Sequence, residues 1–468
     1  MAFADKPQRV AQLVELLGRG VVFADDASVI AHTYDAWPVA AKWRSQGKHT
    51  TQPDVVVRPT SVEQICRLLP WAAAHGVPVT PWGLGSSVTG APLPTRGGVS
   101  LDLSALTRVH WLDESSLMVK VDAGKLGIAL ERELNSRGFT LNHSPQSLDR
   151  SSVGGWVSTR ASGQFSSRYG SIEDLVVALT AVLPTGEIVA TPFAPRAALG
   201  PDLRHVFMGA EGTMGVVVDV TLKIFPLAEH RRLETLRFPD VAAGLDAMQV
   251  MFQKGLRPFL VRFYDEDESR HAMRDVAFDG CTMFLGVEGV HALAEAEFAV
   301  ALSLCEGFGG QRLGPQAVEA WWARRFDFST VENLLAKSGG LAETIEVAHF
   351  WGEIFDTYRA LKTALAPYAA EVLGHFSHAY PQGTSLYIIL LGEAADDAEA
   401  EARILQVWDT AMAVCLETGA TLSHHHGVGL ARLPYIEQGL GSGYIVLERI
   451  KGALDPAHIM NPGKLGLT

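Results

Sequence analysis

A loop at residues 81–94, PWGLGSSVTGAPLP, carries the residue types that hold phosphate. Gly83, Gly85 and Gly90 let the main chain turn through positive φ and come close to a ligand. Ser86 and Ser87 add hydroxyls to a row of inward-pointing N–H donors. A lone glycine-rich loop can equally be a surface turn. Here two more small-residue segments follow, SVGGWVSTRASG at 152–163 and RHVFMGAEGTMGVVVDVTLK at 204–223. The first loop lacks the G-x-G-x-x-G spacing of a strand–turn–helix nucleotide site, and no Walker lysine follows it. The pattern fits a long dinucleotide lying in a groove between several loops.

The elements that must hold these loops can be read from the hydrophobic pattern. Val55, Val56 and Val57 form a buried strand, and Ser61 with Gln64 makes a capping box. The helix it opens places Ile65, Leu68, Leu69 and Ala72 on one face and ends at Gly76. A second strand at 77–80 then makes the glycine-rich loop the exit of a βαβ unit. Alternating stretches between 99 and 121, a helix at 124–137 closed by Gly138, and strands at 175–183 and 216–225 complete a mixed domain ending near Leu227.

From there to about residue 420 the rhythm changes. Helices at 241–255, 292–305, 351–365 and 395–417 alternate with strands at 259–264, 282–288, 371–379 and 385–391. These βαβ-type units describe a cap, a sheet with helices on one face. Residues 1–50 read as an adapter, with a short helix at 10–17 and a polar approach through His32, Trp37 and Lys42. The end of the chain, with SHHHGVG and DPAHIMNPGKLG, is too short for a domain and is expected to return to the first one. The division is therefore 1–50, 51–228, 229–420 and 421–468. The acidic run from Asp265 to Glu268 reads as a solvated helix start, and no internal repeat is legible.

Composition bounds the function. The 468 residues suffice for two or three domains, and 47% hydrophobic residues for well-packed cores. A net charge of −13 with no basic stripe argues against a nucleic-acid partner. Cys66, Cys281, Cys305 and Cys415 are scattered with no C-x-x-C pair, which describes buried thiols of a reducing cytoplasm. No window approaches the roughly 20 apolar residues of a membrane helix. A soluble, cytoplasmic protein is expected.

PWGLGSSVTG, SLDRSSVGGWVSTRASG, GSIEDLVV, GPDLRHVFMGAEGTMGVVVDVTLKI and SHHHGVG together resemble the FAD-binding flavoproteins of the vanillyl-alcohol oxidase and p-cresol methylhydroxylase superfamily. Within it the chain is most similar to the alkyldihydroxyacetonephosphate synthase branch. The resemblance implies an α+β fold: a two-part FAD-binding domain, a cap of antiparallel sheet and helices, and a C-terminal segment completing the active site.

It also implies FAD in an elongated pose, its pyrophosphate on the loop of Pro81, Gly83, Leu84, Gly85, Ser86 and Ser87. Ser152, Gly154, Gly155, Ser158 and Thr159 would line the adenosine and ring side, and Glu211, Gly212 and Val217 would border the flavin. No Cys or His lies in the phosphate loop, so the flavin is expected to be non-covalent.

The same resemblance nominates Tyr380, in SHAYPQG, as a proton shuttle and His424, His425 and His426 as its histidine triplet. Arg262 and Arg196 match the arginines that orient or neutralise an anionic, lipid-like substrate. A phenol near imidazoles can pass a proton at neutral pH, and an arginine fork suits phosphate or carboxylate. Two activities follow: ether-lipid formation through a flavin N5 adduct, or oxidation of a D-2-hydroxy acid of the lactate, glycolate or 2-hydroxyglutarate type.

Some hydroxy-acid enzymes bind a metal through two spaced histidines and a glutamate. Here His378 could supply one ligand, but Leu386 and Tyr387 stand in the second place and His425 replaces the glutamate, so no metal is expected. Leu430 stands where the synthase branch usually carries a lysine. A homodimer is expected, and peripheral membrane contact stays open.

Overall fold

The computed structural model describes residues 6–274 and 277–467, so the start of the expected adapter and the final residue lie outside it. The first half contains two main sheets. One has the order Val22–Phe23, Val55–Val57, Val99–Asp102, Val79–Trp82, its last three strands parallel. Helix Val62–His75 makes the crossover, opened by the Ser61/Gln64 capping box and closed by Gly76 at φ 60°. Its Ile65, Leu68, Leu69 and Ala72 are buried against Val55, Val57, Val79 and Val99.

The second sheet is antiparallel, in the order Val109–Asp113, Met118–Asp122, Val216–Lys223, Val176–Val182, Ile188–Ala190. The C-terminal segment returns to the parallel sheet and the glycine-rich loop of this half, as expected. Met460 bridges Val79 in parallel, Asn461 N–H donates to the Val79 carbonyl at 2.8 Å, and Lys464 Nζ donates to the Leu93 carbonyl at 2.7 Å.

The cap is one seven-stranded sheet. Its elements are β1 (His230–Phe238), α1 (Val241–Gln253), β2 (Leu260–Tyr264), β3 (Cys281–Gly289), α2 (His291–Gly307), β4 (Gln311–Gly314), β5 (Gly340–Phe350), α3 (Ile354–Leu365), β6 (Glu371–Ala379), β7 (Gly383–Glu393) and α4 (Asp397–Thr418). The order is β4-β1-β3-β2-β6-β7-β5, and every neighbouring pair is antiparallel.

The βαβ rhythm of the sequence is therefore a split one, since β1 and β2 run parallel with β3 between them. The unit β1-α1-β2-β3-α2-β4 recurs as β5-α3-β6-β7-α4, joined through β2 and β6. In the second copy a single bridge, Thr421 to Ala348 on β5, stands where a fourth strand would pair. This repeat is invisible in the sequence, because the two copies share only the order of apolar periods.

Residues alternate between the two faces of each cap strand. Val261, Phe263, Ile345, Val347, Phe376, Leu386 and Ile388 enter the core with Met248 of α1 and Trp408 and Met412 of α4. Arg262, Tyr264, His375, Tyr387 and Glu346 therefore lie on the opposite face.

Two local expectations change. Trp37 and Lys42 are buried rather than a polar approach. Lys42 Nζ donates to Asp397 at 2.9 Å and to the carbonyls of Leu335 and Lys337 at 2.9 and 3.1 Å, fixing the N-terminal segment to the cap. The acidic run does open a helix, Glu266–Met273, with Asp265 accepting from Glu268 N–H at 2.8 Å. Asp265 and Glu268 are nevertheless buried, because Lys362 and His375 from neighbouring elements supply partners at 2.7 and 2.8 Å.

Candidate active site

The glycine segments converge. A Cβ on Gly83 would meet Ser152 Oγ at 2.5 Å, one on Gly212 would meet Pro81 at 2.7 Å, and one on Gly427 would meet Glu211 at 2.5 Å and Thr159 at 3.4 Å. The four segments thus touch where only hydrogen fits. From Gly83 to Val88 the main-chain N–H groups donate to no acceptor among the described residues. This open row offers donors of the kind that hold phosphate oxygens, and Asp35 fixes the loop that carries it. The buried Asp35 carboxylate accepts from Gly90 N–H at 3.0 Å and Trp37 N–H at 3.1 Å, and burial raises its pKa to about 7. Leu84 is exposed at the tip of the loop.

Helix Val153–Thr159 starts from Ser152, whose Oγ accepts from Gly155 N–H at 3.3 Å. The hydroxyls of Ser158 and Thr159 donate to the carbonyls of Gly154 and Gly155 at 2.8 and 3.1 Å. Val217 is buried in its strand, beside the register break at Val217/Asp219.

Orphaned polar atoms mark the deeper end of the groove. Both ring nitrogens of His143, Ser144 Oγ and His426 Nδ1 are buried without a hydrogen-bond partner. Burial drives the His143 pKa down to about 3, so its ring is neutral. Open N–H groups, close-packed glycines and unsatisfied polar atoms fit a long polar cofactor such as FAD.

Beyond them lies a continuous chain of hydrogen bonds. Tyr380 OH is 2.8 Å from His424 Nε2, His424 Nδ1 is 2.7 Å from His425 Nδ1, and His425 Nε2 is 2.6 Å from Tyr387 OH. Tyr387 OH lies 3.4 Å from His378 Nε2, and His378 Nδ1 is 2.7 Å from Ser166 Oγ. Burial, more than neighbouring charge, lowers the pKa of His424, and lowers those of His378 and His425 well below the ordinary value; that of His426 falls to about 4. Each ring is then neutral, with one donor and one acceptor nitrogen. The chain can therefore polarise only as a whole, in one direction or the other.

Local structure explains how these groups meet. Tyr380 opens the turn between β6 and β7, where Tyr380 N–H donates to the Gly383 carbonyl at 2.8 Å and Pro381 fixes the bend. One residue of β6, His378, bulges out at φ 50° where the register breaks between Ser377 and Ala379. The freed Ser377 carbonyl accepts from Ser385 Oγ at 2.7 Å and Thr384 Oγ1 at 3.0 Å. A bulge of this kind re-aims a side chain, here toward Ser166 of the first half.

The triplet itself is held by Glu346. This buried carboxylate of β5 accepts from the N–H groups of His424, His425 and His426 at 2.7, 3.1 and 2.9 Å, from Ser423 Oγ at 2.9 Å and from Arg432 Nη2 at 3.0 Å. Burial alone would raise its pKa, but Arg432 and the histidine donors hold it at about 2. Glu211 plays the same part for the next residues, accepting from Val428 N–H at 2.6 Å and Gly429 N–H at 3.0 Å. Its carboxylate, which the resemblance puts at the flavin edge, anchors this loop.

Glu346, His424 and His425 present ligand atoms within 4.8 Å of one another, as do His230, His291 and Glu295 on the surface. In the first group the carboxylate is already filled by five donors and the two rings bond each other, which suits a hydrogen-bond network better than an ion.

Arg262 reaches this face with Nε donating to Tyr264 OH at 2.8 Å, and its guanidinium lies 5.9 Å from the Trp321 ring. Burial opposes its charge, but Tyr264, Glu268 and Tyr387 raise its pKa, so it stays cationic. Arg196 does not join it. It sits in an exposed stretch after strand Ile188–Ala190, outside the hydrogen-bond chain. The structure brings together Tyr380, the triplet and Arg262. It adds Glu346, Tyr387, His378 and Ser166, of which Glu346, a charge in the apolar run LAETIEVA, left a signal and Ser166 left none.

Models of FAD linked oxidases, C-terminal domain, and of an FAD binding domain match residues 227–465 and 53–192. The chain belongs to the FAD-linked oxidase family. This FAD-linked oxidase is 29% identical over 498 residues to an alkyldihydroxyacetonephosphate synthase of Trypanosoma brucei brucei, covering 97% of this chain and 80% of that protein. It is 31% identical to the uncharacterized FAD-linked oxidoreductase YgcU of Escherichia coli (strain K12), covering 97% of both.

A D-lactate dehydrogenase [cytochrome], mitochondrial, of Arabidopsis thaliana is 28% identical, over 88% of this chain and 73% of that protein. A solved alkyldihydroxyacetonephosphate synthase superposes with a TM-score of 0.82 at 23% identity, over 97% of this chain and 84% of that one. The protein is an FAD-dependent enzyme with a two-domain FAD-binding fold. No helix among the described residues is long and apolar enough to cross a membrane.

Proposed function

We propose that this FAD-linked oxidase is a synthase of the alkyldihydroxyacetonephosphate type, replacing an acyl group on an anionic ketone phosphate by a long-chain alcohol with no net redox change. The observation that carries this reading is the relay from Tyr380 through His424, His425, Tyr387 and His378 to Ser166. FAD, when bound non-covalently, supplies a ring that can take up and return an electron pair of the substrate carbon.

The N–H row at Gly83–Val88 holds its pyrophosphate, and the helix beginning at Ser152 lines its length. Arg262 holds the substrate anion, while the half-buried Trp321 and Trp322, packed on Phe165 and Phe259, offer apolar surface to an alkyl chain. Burial raises the Tyr380 pKa to about 12, so the phenol is protonated at neutral pH. As the alcohol adds and the fatty acid leaves as its carboxylate, the alcohol proton passes to Tyr380 while the phenol proton moves onto His424 Nε2. The remaining protons shift one place each toward Ser166, whose own hydroxyl proton passes to water, so that alcohol and acyl ketone phosphate give ether, carboxylate and one proton. Glu346 keeps the triplet in register for this transfer.

A second reading, oxidation of a D-2-hydroxy acid, is favoured by the D-lactate dehydrogenase relative. There Arg262 would hold the carboxylate and a histidine would take the hydroxyl proton. An anaerobic titration separates the two. The synthase reading expects acyl dihydroxyacetone phosphate to perturb the flavin spectrum with no electron acceptor consumed. Bleaching by lactate, glycolate or 2-hydroxyglutarate, reversed by an acceptor dye, with no response to the ketone phosphate, overturns it.

A further inference from the structure

Three arginines surround the adjacent indoles of Trp321 and Trp322, and they differ in what fills their donor edges. Arg231 lies 4.6 Å from the Trp322 ring, and its Nε and Nη2 both donate to Glu288 Oε2, at 2.8 and 2.6 Å. Its side-on edge is satisfied within the protein. Arg325 lies 4.2 Å over Trp322 and 4.4 Å over Phe326, and Nη1 donates to the Trp322 carbonyl at 2.7 Å. Its Nε is buried with no partner, and no carboxylate pairs with this guanidinium among the described residues. Burial and the nearby Arg231 lower its pKa to about 10, which still leaves it charged at neutral pH.

The guanidinium is half-buried, Glu131 acts on it only through space, and its Nε has no hydrogen-bond partner; paired with Nη2, that Nε is the side that matches the two oxygens of a carboxylate or phosphate. We propose that Arg325 is a second anion-binding group of this enzyme, taking an oxyanion side-on with the Trp322 indole as its apolar neighbour. Its place follows from the aromatic pair. Trp321 touches Arg262, Trp322 touches Arg325, and Phe165 stacks on Trp322 directly before Ser166 of the relay.

The substrate class this describes is an anion with apolar surface alongside, held by two separate arginines. The part that assigns the anion to substrate rests on the function proposed above. The oxyanion site itself does not.

The test uses the FAD-loaded enzyme and inorganic phosphate as the probe, read by protein fluorescence and by protection against thermal release of flavin, with acetate in a parallel series. Losing a two-point charged contact lowers affinity by roughly 10- to 100-fold. Arg325→Gln is expected to weaken phosphate by that factor with FAD content unchanged, and Arg325→Lys to lose most of it, since a lysine cannot offer the fork. Arg196→Gln should bind as the wild type does.

Stronger binding of phosphate than acetate assigns the site to a phosphoryl group, and the reverse assigns it to a carboxylate. If both Arg325 variants bind both anions as the wild type does, or if neither anion binds the wild type, the proposal falls. If the enzyme turns over neither the ketone phosphate nor a hydroxy acid while the Arg325 variants still lose phosphate, the proposed function fails and the anion site stands.

Discussion

Replacing Glu346 by Gln removes one charge and reverses the polarity of half the group, while changing almost no volume. The carboxylate accepts five donors, among them three consecutive N–H groups of the triplet and Arg432. An amide keeps one acceptor oxygen and turns an NH2 toward those donors. Breaking a buried ion pair by neutralising one partner costs about 3–5 kcal/mol. The fall of the Glu346 pKa from 4.5 to about 2 corresponds independently to ~3 kcal/mol.

The two magnitudes agree, so Glu346→Gln is expected to lose about 3 kcal/mol from the loop that carries His424, His425 and His426. The assay follows flavin fluorescence on heating together with turnover. The variant should release FAD several degrees earlier and turn over at least tenfold more slowly, with Glu346→Asp between it and the wild type. The pH dependence has a definite sign. A carboxylate with a lowered folded pKa contributes its stability fully above about pH 4.5 and loses it as pH falls toward about 2. That component should be present in the wild type and missing from Glu346→Gln. A variant that melts and turns over like the wild type, with an unchanged acid limb, would refute the anchoring argument.

Four further outcomes are expected. Acid or heat denaturation should release FAD into the supernatant, and flavin remaining with the precipitate would contradict non-covalent binding. Gly85→Ala forces a side chain onto φ 68° and a Cβ within 2.6 Å of Trp82, so FAD affinity should fall at least tenfold (~1–2 kcal/mol for the left-handed backbone alone), measured by titration of apoenzyme. Tyr380→Phe should keep FAD and fold yet lose roughly 10²–10⁴ in rate, the range of a general acid–base group. Arg262→Lys should cost about 2 kcal/mol in kcat/KM, since a lysine has no fork, and unchanged kinetics would remove Arg262 from the substrate contact.

Local pattern alone determined much of this protein. The capping box at Ser61, the αL glycine at Gly76 and the short apolar runs of the cap strands are short-range signals, and the helices and strands they predict are present. The open geometry of the glycine-rich loop was legible for the same reason, because free N–H groups and positive φ at Gly85 are properties of consecutive residues. Tyr380 and the triplet were legible as motifs.

Tertiary structure alone decided how those motifs are used. His378 meets Ser166 across 212 residues of chain, and Glu346 meets the triplet across 78 to 80. Such pairings are set by sheet order and by one bulge in β6, and neither is encoded near the residues it unites. The same cause buried Asp265, Glu268 and Lys42, whose charge reads as solvent exposure until a distant partner is placed beside it. Arg196 lies apart from the hydrogen-bond chain for the converse reason: a charged residue near a motif is exposed unless some other element packs over it, and none of the described residues does.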